Sequence, residues 1–438
     1  MRMKGQSLKK DFLKFIVPSI VAQWVYTLYT MVDGIFVARG VSETALTAVN
    51  LSFPYLSGLF SISILFAVGM STVVAILRGR DENAKACEVF TQNIVLLTIL
   101  SVVLSAVVLL NLRRFALFLG ATKASLPFVM EYIKTLAPFT AAFILSYTFE
   151  ILMKTDGFPG KATRIVVTGC IGNIIMDYIF VMVFHWGVFG AAFATGISQT
   201  AVIVFYMIHF GKKKGVLGFK KFPFRKSLIW REFKNGLPSG LTEFSAGIII
   251  FFFNQAILRY IGETALVSYT IISYVNSIVV MSMNGVAQGT QPLVSYFYGR
   301  GDEEKIKKLL HYSVVASVVL AVAAFAVCWL GADPIVSLFM KGDMPELRAY
   351  SDKVFRIFSV SFLVVGFNVV VGGYFTAIEK PVEALLISLA RGFVTMLLSL
   401  FIMTHIFGGS GIWWSALVSE IMCLVLTGVL YKKQKSIF

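Results

Sequence analysis

Two carboxylates lie inside apolar runs that hydrocarbon would close to charge. Asp33 sits in "TLYTMVDGIFVARG" and Asp177 in "GCIGNIIMDYIF". A charge at membrane depth costs at least about 2.5–3.5 kcal/mol, so each needs a compensating partner or a function. Asn173 precedes Asp177 by four residues and shares its helical face. Thr195 follows in the next apolar run, at similar depth from the same membrane side. At about 1.5 Å per residue, all four fall in one half of the bilayer. Two carboxylates, an amide oxygen and a hydroxyl form a hard oxygen set. Such a set suits Na⁺, and two close carboxylates can also share a proton. The alternative is that these groups make interhelical hydrogen bonds and only hold helices together.

Other polar residues recur in the apolar runs. Glu243 occupies the position 220 residues after Gln23, and both are candidates to face a substrate cavity. Tyr26, Phe53, Tyr55 and Tyr274 could line the same cavity, where aromatic walls accept lipophilic cations through dispersion and cation–π contacts. Arg391 and Glu420 lie at matching depths of consecutive runs, which reads as a structural ion pair. Glu150 and Lys154 are spaced i, i+4 near a run's end, where a solvated pair suffices. Cys87, Cys170, Cys328 and Cys423 are scattered without a CxxC pair, and the four histidines lack HxxxH or HExxH spacing. Neither a metal centre nor a disulfide framework is expected, and no GxxxxGK[ST] loop points to ATP.

The elements that must position these groups follow from composition. Of 438 residues, 57% are hydrophobic and 14% charged, and the mean hydropathy is +0.81. Long apolar runs parted by short polar breaks imply an all-α polytopic membrane protein, because spans in lipid must satisfy their backbones internally. The alternation that strand spans require is not seen. Twelve helices are expected near 14–37, 46–77, 90–112, 126–152, 160–184, 188–211, 235–260, 266–297, 311–331, 350–377, 382–406 and 411–431. The first reads as a retained span rather than a signal peptide. With the N-terminus inside, about 28 Lys and Arg face the cytoplasm against about 10 outside. The net charge of +16 therefore reports orientation, with both termini cytoplasmic, and nucleic acid is not an expected partner.

The chain repeats itself. A shift of 220 residues superposes Pro18 on Pro238, Glu43–Leu46 on Glu263–Leu266, Gly69 on Gly289, and Gly79-Arg80 on Gly299-Arg300. Such a gapless register marks duplication. It yields an N-terminal six-helix lobe at 1–211, a basic cytoplasmic linker at 212–234 and a C-terminal six-helix lobe at 235–438. Six spans per half make the repeats parallel, and two such lobes suit a secondary transporter working by alternating access. Asp33 is not duplicated, since Phe253 holds its repeat position.

Several segments resemble the multidrug and toxic compound extrusion (MATE) transporters. They are "DGIFVARGVSETALTAVNLSFP", "LMKTDGFPGKA" and "GVAQGTQPLVSYFYGRG", and the resemblance runs over nearly the whole chain. It implies a two-lobed exporter of cationic drugs driven by Na⁺ or H⁺ entry, with no cofactor beyond the coupling ion. The family's N-lobe ion site maps onto Asp33, Asn173, Asp177 and Thr195. One branch carries a second site formed by a Glu in span seven and an Asp in span ten. Span ten here, "VFRIFSVSFLVVGFNVVVGGYFTA", has no acid and offers only Asn368, a departure from that branch. The expectation is thus a monomeric, non-enzymatic antiporter of small lipophilic or cationic compounds in a cell membrane, in contact with its lipids. The alternatives are a flippase for lipid-linked saccharides, which would need cavity cations for pyrophosphate, and a membrane enzyme or structural subunit.

Overall fold

A computed structural model describes residues 7–212, 214–339 and 345–435. Every apolar run in it is helical, and the described residues contain no strand. The termini expected in the cytoplasm, 1–6 and 436–438, lie outside the described residues. Among the described residues, ten stretches are long and apolar enough to cross a membrane. One of them, Pro381–Gln434, is two packed helices joined at Gly408–Ser410. The bent pair Pro345–Ser359 and Phe362–Ala377 supplies another crossing. Twelve spans result among the described residues, and the protein is a multi-pass membrane protein.

Most helices start earlier than the apolar runs. Span one covers Leu8–Gly40, span seven Lys226–Tyr260 and span nine Glu303–Leu330. Hydropathy registers the length in hydrocarbon, whereas the hydrogen-bonded helix continues into the polar interface. Pro18, Pro54, Pro238 and Pro292 lie inside helices. Ser42 caps span two by accepting from Ala45 N at 3.1 Å.

The helices sort into two units. One holds 21–243 with 295–302, and the other holds 8–20, 244–294 and the chain from 303 onward. In the first unit span four, Leu126–Thr155, is the central element, with 83% of its apolar window buried. Span two binds it through Tyr55–Thr140 at 3.0 Å, Ser63 to Ile144 O at 2.8 Å and Ser71–Thr155 at 2.8 Å. Each interhelical bond of this kind contributes about 0.6 kcal/mol in a membrane. In the second unit the pairs are Ser268–Ser351, Ser313–Thr290 and Thr395–Ser419, at 2.7, 3.0 and 2.9 Å.

The duplicated Gly-Arg pair has a packing reason. A Cβ on Gly79 would stand 2.1 Å from Tyr296 O, and one on Gly299 would stand 2.2 Å from Ile76 O. Positions 76 and 296 are themselves repeat partners, so the contact is reciprocal. Two helix ends cross backbone to backbone, and only glycine leaves the room.

The basic linker is tied down at several points. Lys220 N donates to Thr91 Oγ1 at 2.9 Å and Arg225 N to Gln92 Oε1 at 3.0 Å on span three, and its start is held by Asp156. Asp156, between spans four and five, accepts from Val216 N at 3.0 Å and Leu217 N at 3.2 Å, with Arg78 Nη1 at 3.4 Å on its other side. Burial raises the Asp156 pKa, and Arg78 opposes the shift. Gly215 passes so close that a Cβ there would overlap the Asp156 carboxylate.

Candidate ion-coupling site

Three helices of the first unit converge on Asp177. Span five runs as an α-helix over Pro159–Asp177 and widens into a π-helix at Tyr178–Val183 immediately afterwards. Such wide turns mark functional positions often enough to draw attention here. The chain then returns through a tight turn, with His185 and Gly187 both at positive φ, into span six at Gly187–Gly211. Gly190 makes that return close, since a Cβ would sit 3.1 Å from Phe180 O. Asn173 and Asp177 therefore face Thr195 across the hairpin.

Asn173, Asp177 and Thr195 are buried, at 2%, 0% and 4% exposure. With its amide nitrogen turned to Asp177, Asn173 donates to Oδ2 at 2.9 Å and its oxygen accepts from Thr195 N at 3.2 Å. That orientation satisfies both ends of the amide, which is how an Asn orientation is assigned. Thr195 Oγ1 donates to Ala191 O at 3.0 Å. Asp33 enters from span one, half-buried, and its carboxyl lies within hydrogen-bonding reach of Asp177. Oδ1 of Asp33 and Oδ1 of Asp177 are both buried without a hydrogen-bond donor among the described residues. Two such oxygens in apolar surroundings call for a proton or a bare cation between them.

Tyr29 and Tyr132 lie in the electrostatic field of both carboxylates. Sequence reasoning missed them. Tyr29 precedes Asp33 by four residues, a signal that was available, but nothing in the sequence ties Tyr132 to this place. Tyr29 also borders a small cavity lined with Tyr26, Cys170, Asn173, Ser198 and Gln199.

The residues expected at a substrate cavity are placed as follows. Gln23 is buried and Tyr26 half-buried, donating to Glu150 Oε2 at 3.1 Å. Tyr55 is buried, bonded to Thr140 and edge-on to Phe115. Phe53 and Tyr274 are exposed, the latter stacked on Phe339. Glu243 is half-buried. The Glu150–Lys154 pair differs from expectation. Both side chains are 1% exposed rather than solvated, because span four is the centre of its unit up to its last turn. In the second unit Arg391 Nε reaches Glu420 Oε1 at 2.8 Å as expected, and Asn368 Nδ2 donates to Glu420 Oε2 at 2.8 Å. Arg391 lies in a second π-helical turn, Ala390–Val394.

Comparison with known proteins decides the family. The MatE family model matches residues 18–179 and again 238–407, two segments whose starts lie 220 residues apart. The chain belongs to the MatE family. Among similar proteins is "Multidrug export protein MepA" of Staphylococcus haemolyticus (strain JCSC1435), 25% identical over 96% of this chain and 92% of that protein. The protein of the same name from Staphylococcus aureus (strain MRSA252) is 26% identical over 94% and 91%. In fold the chain is similar to a solved structure described as "Outward-facing conformation of a multidrug resistance MATE family transporter of the MOP superfamily", with TM-score 0.93, 22% identity, and 98% and 96% of the two chains covered. The solved "MATE in the bent conformation" is similar at TM-score 0.91, with 22% identity and coverage of 98% and 96%.

Proposed function

We propose that this MatE protein exports small lipophilic cations in exchange for Na⁺ or H⁺, and that the entering ion binds at Asp33 and Asp177. The single observation carrying this reading is the meeting of two carboxyls from different spans, each with a buried oxygen that lacks a donor among the described residues. Between them an ion removes a charge imbalance that hydrocarbon penalises. Asn173 fixes the Asp177 side of the site, and Thr195 fixes Asn173. Filling the site draws span one towards span five, and that movement is coupled to release of the exported compound. A ligand shifts such an equilibrium only by its different affinity for the two states, which two close, unneutralised carboxylates supply.

The reading is tested on purified protein holding a fluorescent lipophilic cation. Adding Na⁺, or acidifying, should release the dye from the unmodified protein but not from Asp33→Asn or Asp177→Asn. Undiminished release from both variants would sink the proposal.

A further inference from the structure

The first unit buries a second charged pair that the exchange just proposed leaves unused. Glu150 and Lys154 bond through Oε1 and Nζ at 2.6 Å, one turn apart on span four. Glu150 Oε2 accepts from the Tyr26 hydroxyl at 3.1 Å. Tyr26 lines the small cavity, whose volume of about 10 Å³ has room for about one water. Asn173 and Tyr29 border that cavity too. Asn173 holds Asp177, and Tyr29 lies in the field of Asp33 and Asp177. One polar route therefore leads from the carboxylate pair, past Tyr29 and a water-sized cavity, to Tyr26, Glu150 and Lys154.

A buried ion pair is a poor stabilising device, because apolar residues of the same volume serve as well or better. Its presence at the end of this route asks for another reason. The titratable groups facing Glu150 are Lys154 on its own helix, Tyr26 from span one, Cys170 from span five and Tyr206 from span six. Lys154 is the only permanent cation among them.

We propose that Glu150 is the far terminus of a proton relay that starts at the Asp33–Asp177 pair, with Tyr26 and cavity water as carriers. The inference rests on the coupling reading above and narrows its ion to H⁺. A carboxyl proton of the pair passes to water beside Tyr29. That water gives a proton to Tyr26 Oη as Tyr26 gives its own to Glu150 Oε2. Only O–H bonds break and form, and the net change is one proton moved from an aspartic acid to the Glu150 carboxylate. Neutral Glu150 leaves Lys154 as an unbalanced buried cation, a state that favours onward discharge of the proton. A cavity of this size passes protons along hydrogen bonds but has no space for a hydrated Na⁺.

The test uses the full chain in proteoliposomes and compares two rates for one fluorescent lipophilic cation. One is efflux driven by a pH gradient, and the other is exchange at equal pH. Their ratio isolates proton delivery from folding and from substrate handling. In Tyr26→Phe, and in the charge-balanced double variant Glu150→Gln/Lys154→Met, the ratio should fall about tenfold or more, the scale of a lost proton carrier. A wild-type ratio in both variants, with the ratio collapsed in Asp177→Asn, overturns the relay and leaves the coupling site standing. A wild-type ratio in Asp177→Asn overturns the coupling site and the relay together. Efflux driven by Na⁺ and indifferent to pH overturns the relay alone.

Discussion

Removing Glu420 should destabilise the protein by about 3–5 kcal/mol, the cost of leaving one member of a buried ion pair alone. The setting justifies the full figure. The Arg391 and Glu420 side chains are 17% and 8% exposed, so water can rescue little of the orphaned charge. In Glu420→Ala the Arg391 guanidinium loses its carboxylate, while Asn368 Nδ2 keeps the backbone carbonyl of residue 420 at 3.0 Å. Glu420→Gln should cost less, because the buried Asn368 Oδ1, which has no donor among the described residues, can accept from the new amide. The double variant Arg391→Met/Glu420→Leu should be close to wild type or more stable by about 1–4 kcal/mol, since it removes both charges together. The assay is the temperature at which half of the detergent-purified protein leaves its monodisperse peak. The single variants Arg391→Met and Glu420→Leu should each drop well below the double. A double variant as impaired as the two single losses added together would show that the pair is not coupled, and would refute the reasoning.

Three further outcomes follow from the packing. Gly79→Ala and Gly299→Ala should each lower stability by about 1–3 kcal/mol in the same thermal assay, because a methyl at either site meets a backbone carbonyl that cannot rotate away. Asp156→Ala should speed trypsin cleavage within residues 212–225 about tenfold or more, since Val216 and Leu217 lose hydrogen bonds to a charged acceptor. Wild-type cleavage would mean that the bonds from span three to Lys220 and Arg225 suffice to hold the linker without Asp156. Asn173→Ala should weaken ion-triggered release of bound dye while leaving Asp33 and Asp177 in place, with an ion midpoint shifted about tenfold by loss of the bond to Asp177 Oδ2.

The sequence made some of this legible for identifiable reasons. Charge in hydrocarbon is costly, so Asp33 and Asp177 stood out, and the i, i+4 spacing placed Asn173 beside Asp177. Matching depth on consecutive spans was enough to pair Arg391 with Glu420. What depth cannot give is lateral position around a bundle. Asn368 therefore joined the Arg391–Glu420 pair unannounced, and Tyr132 joined the carboxylates. Burial was equally hidden. The spacing of Glu150 and Lys154 is the same on an exposed helix as on the central helix of a bundle, and only tertiary packing separates the two. The π-helical turns after Asp177 and around Arg391 left no mark in the hydrophobic pattern, since one extra residue per turn changes period too briefly to register. The duplicated Gly-Arg pair was visible as a repeat, but its cause is a backbone crossing that no single half contains.

The most direct test of the coupling site is transport itself. Efflux of a fluorescent lipophilic cation from proteoliposomes should accelerate when an inward Na⁺ or H⁺ gradient is imposed on the unmodified protein, and should ignore both gradients in Asp33→Asn and Asp177→Asn. Gradient-driven efflux at the unmodified rate in both variants would place ion coupling elsewhere in the chain and contradict the account.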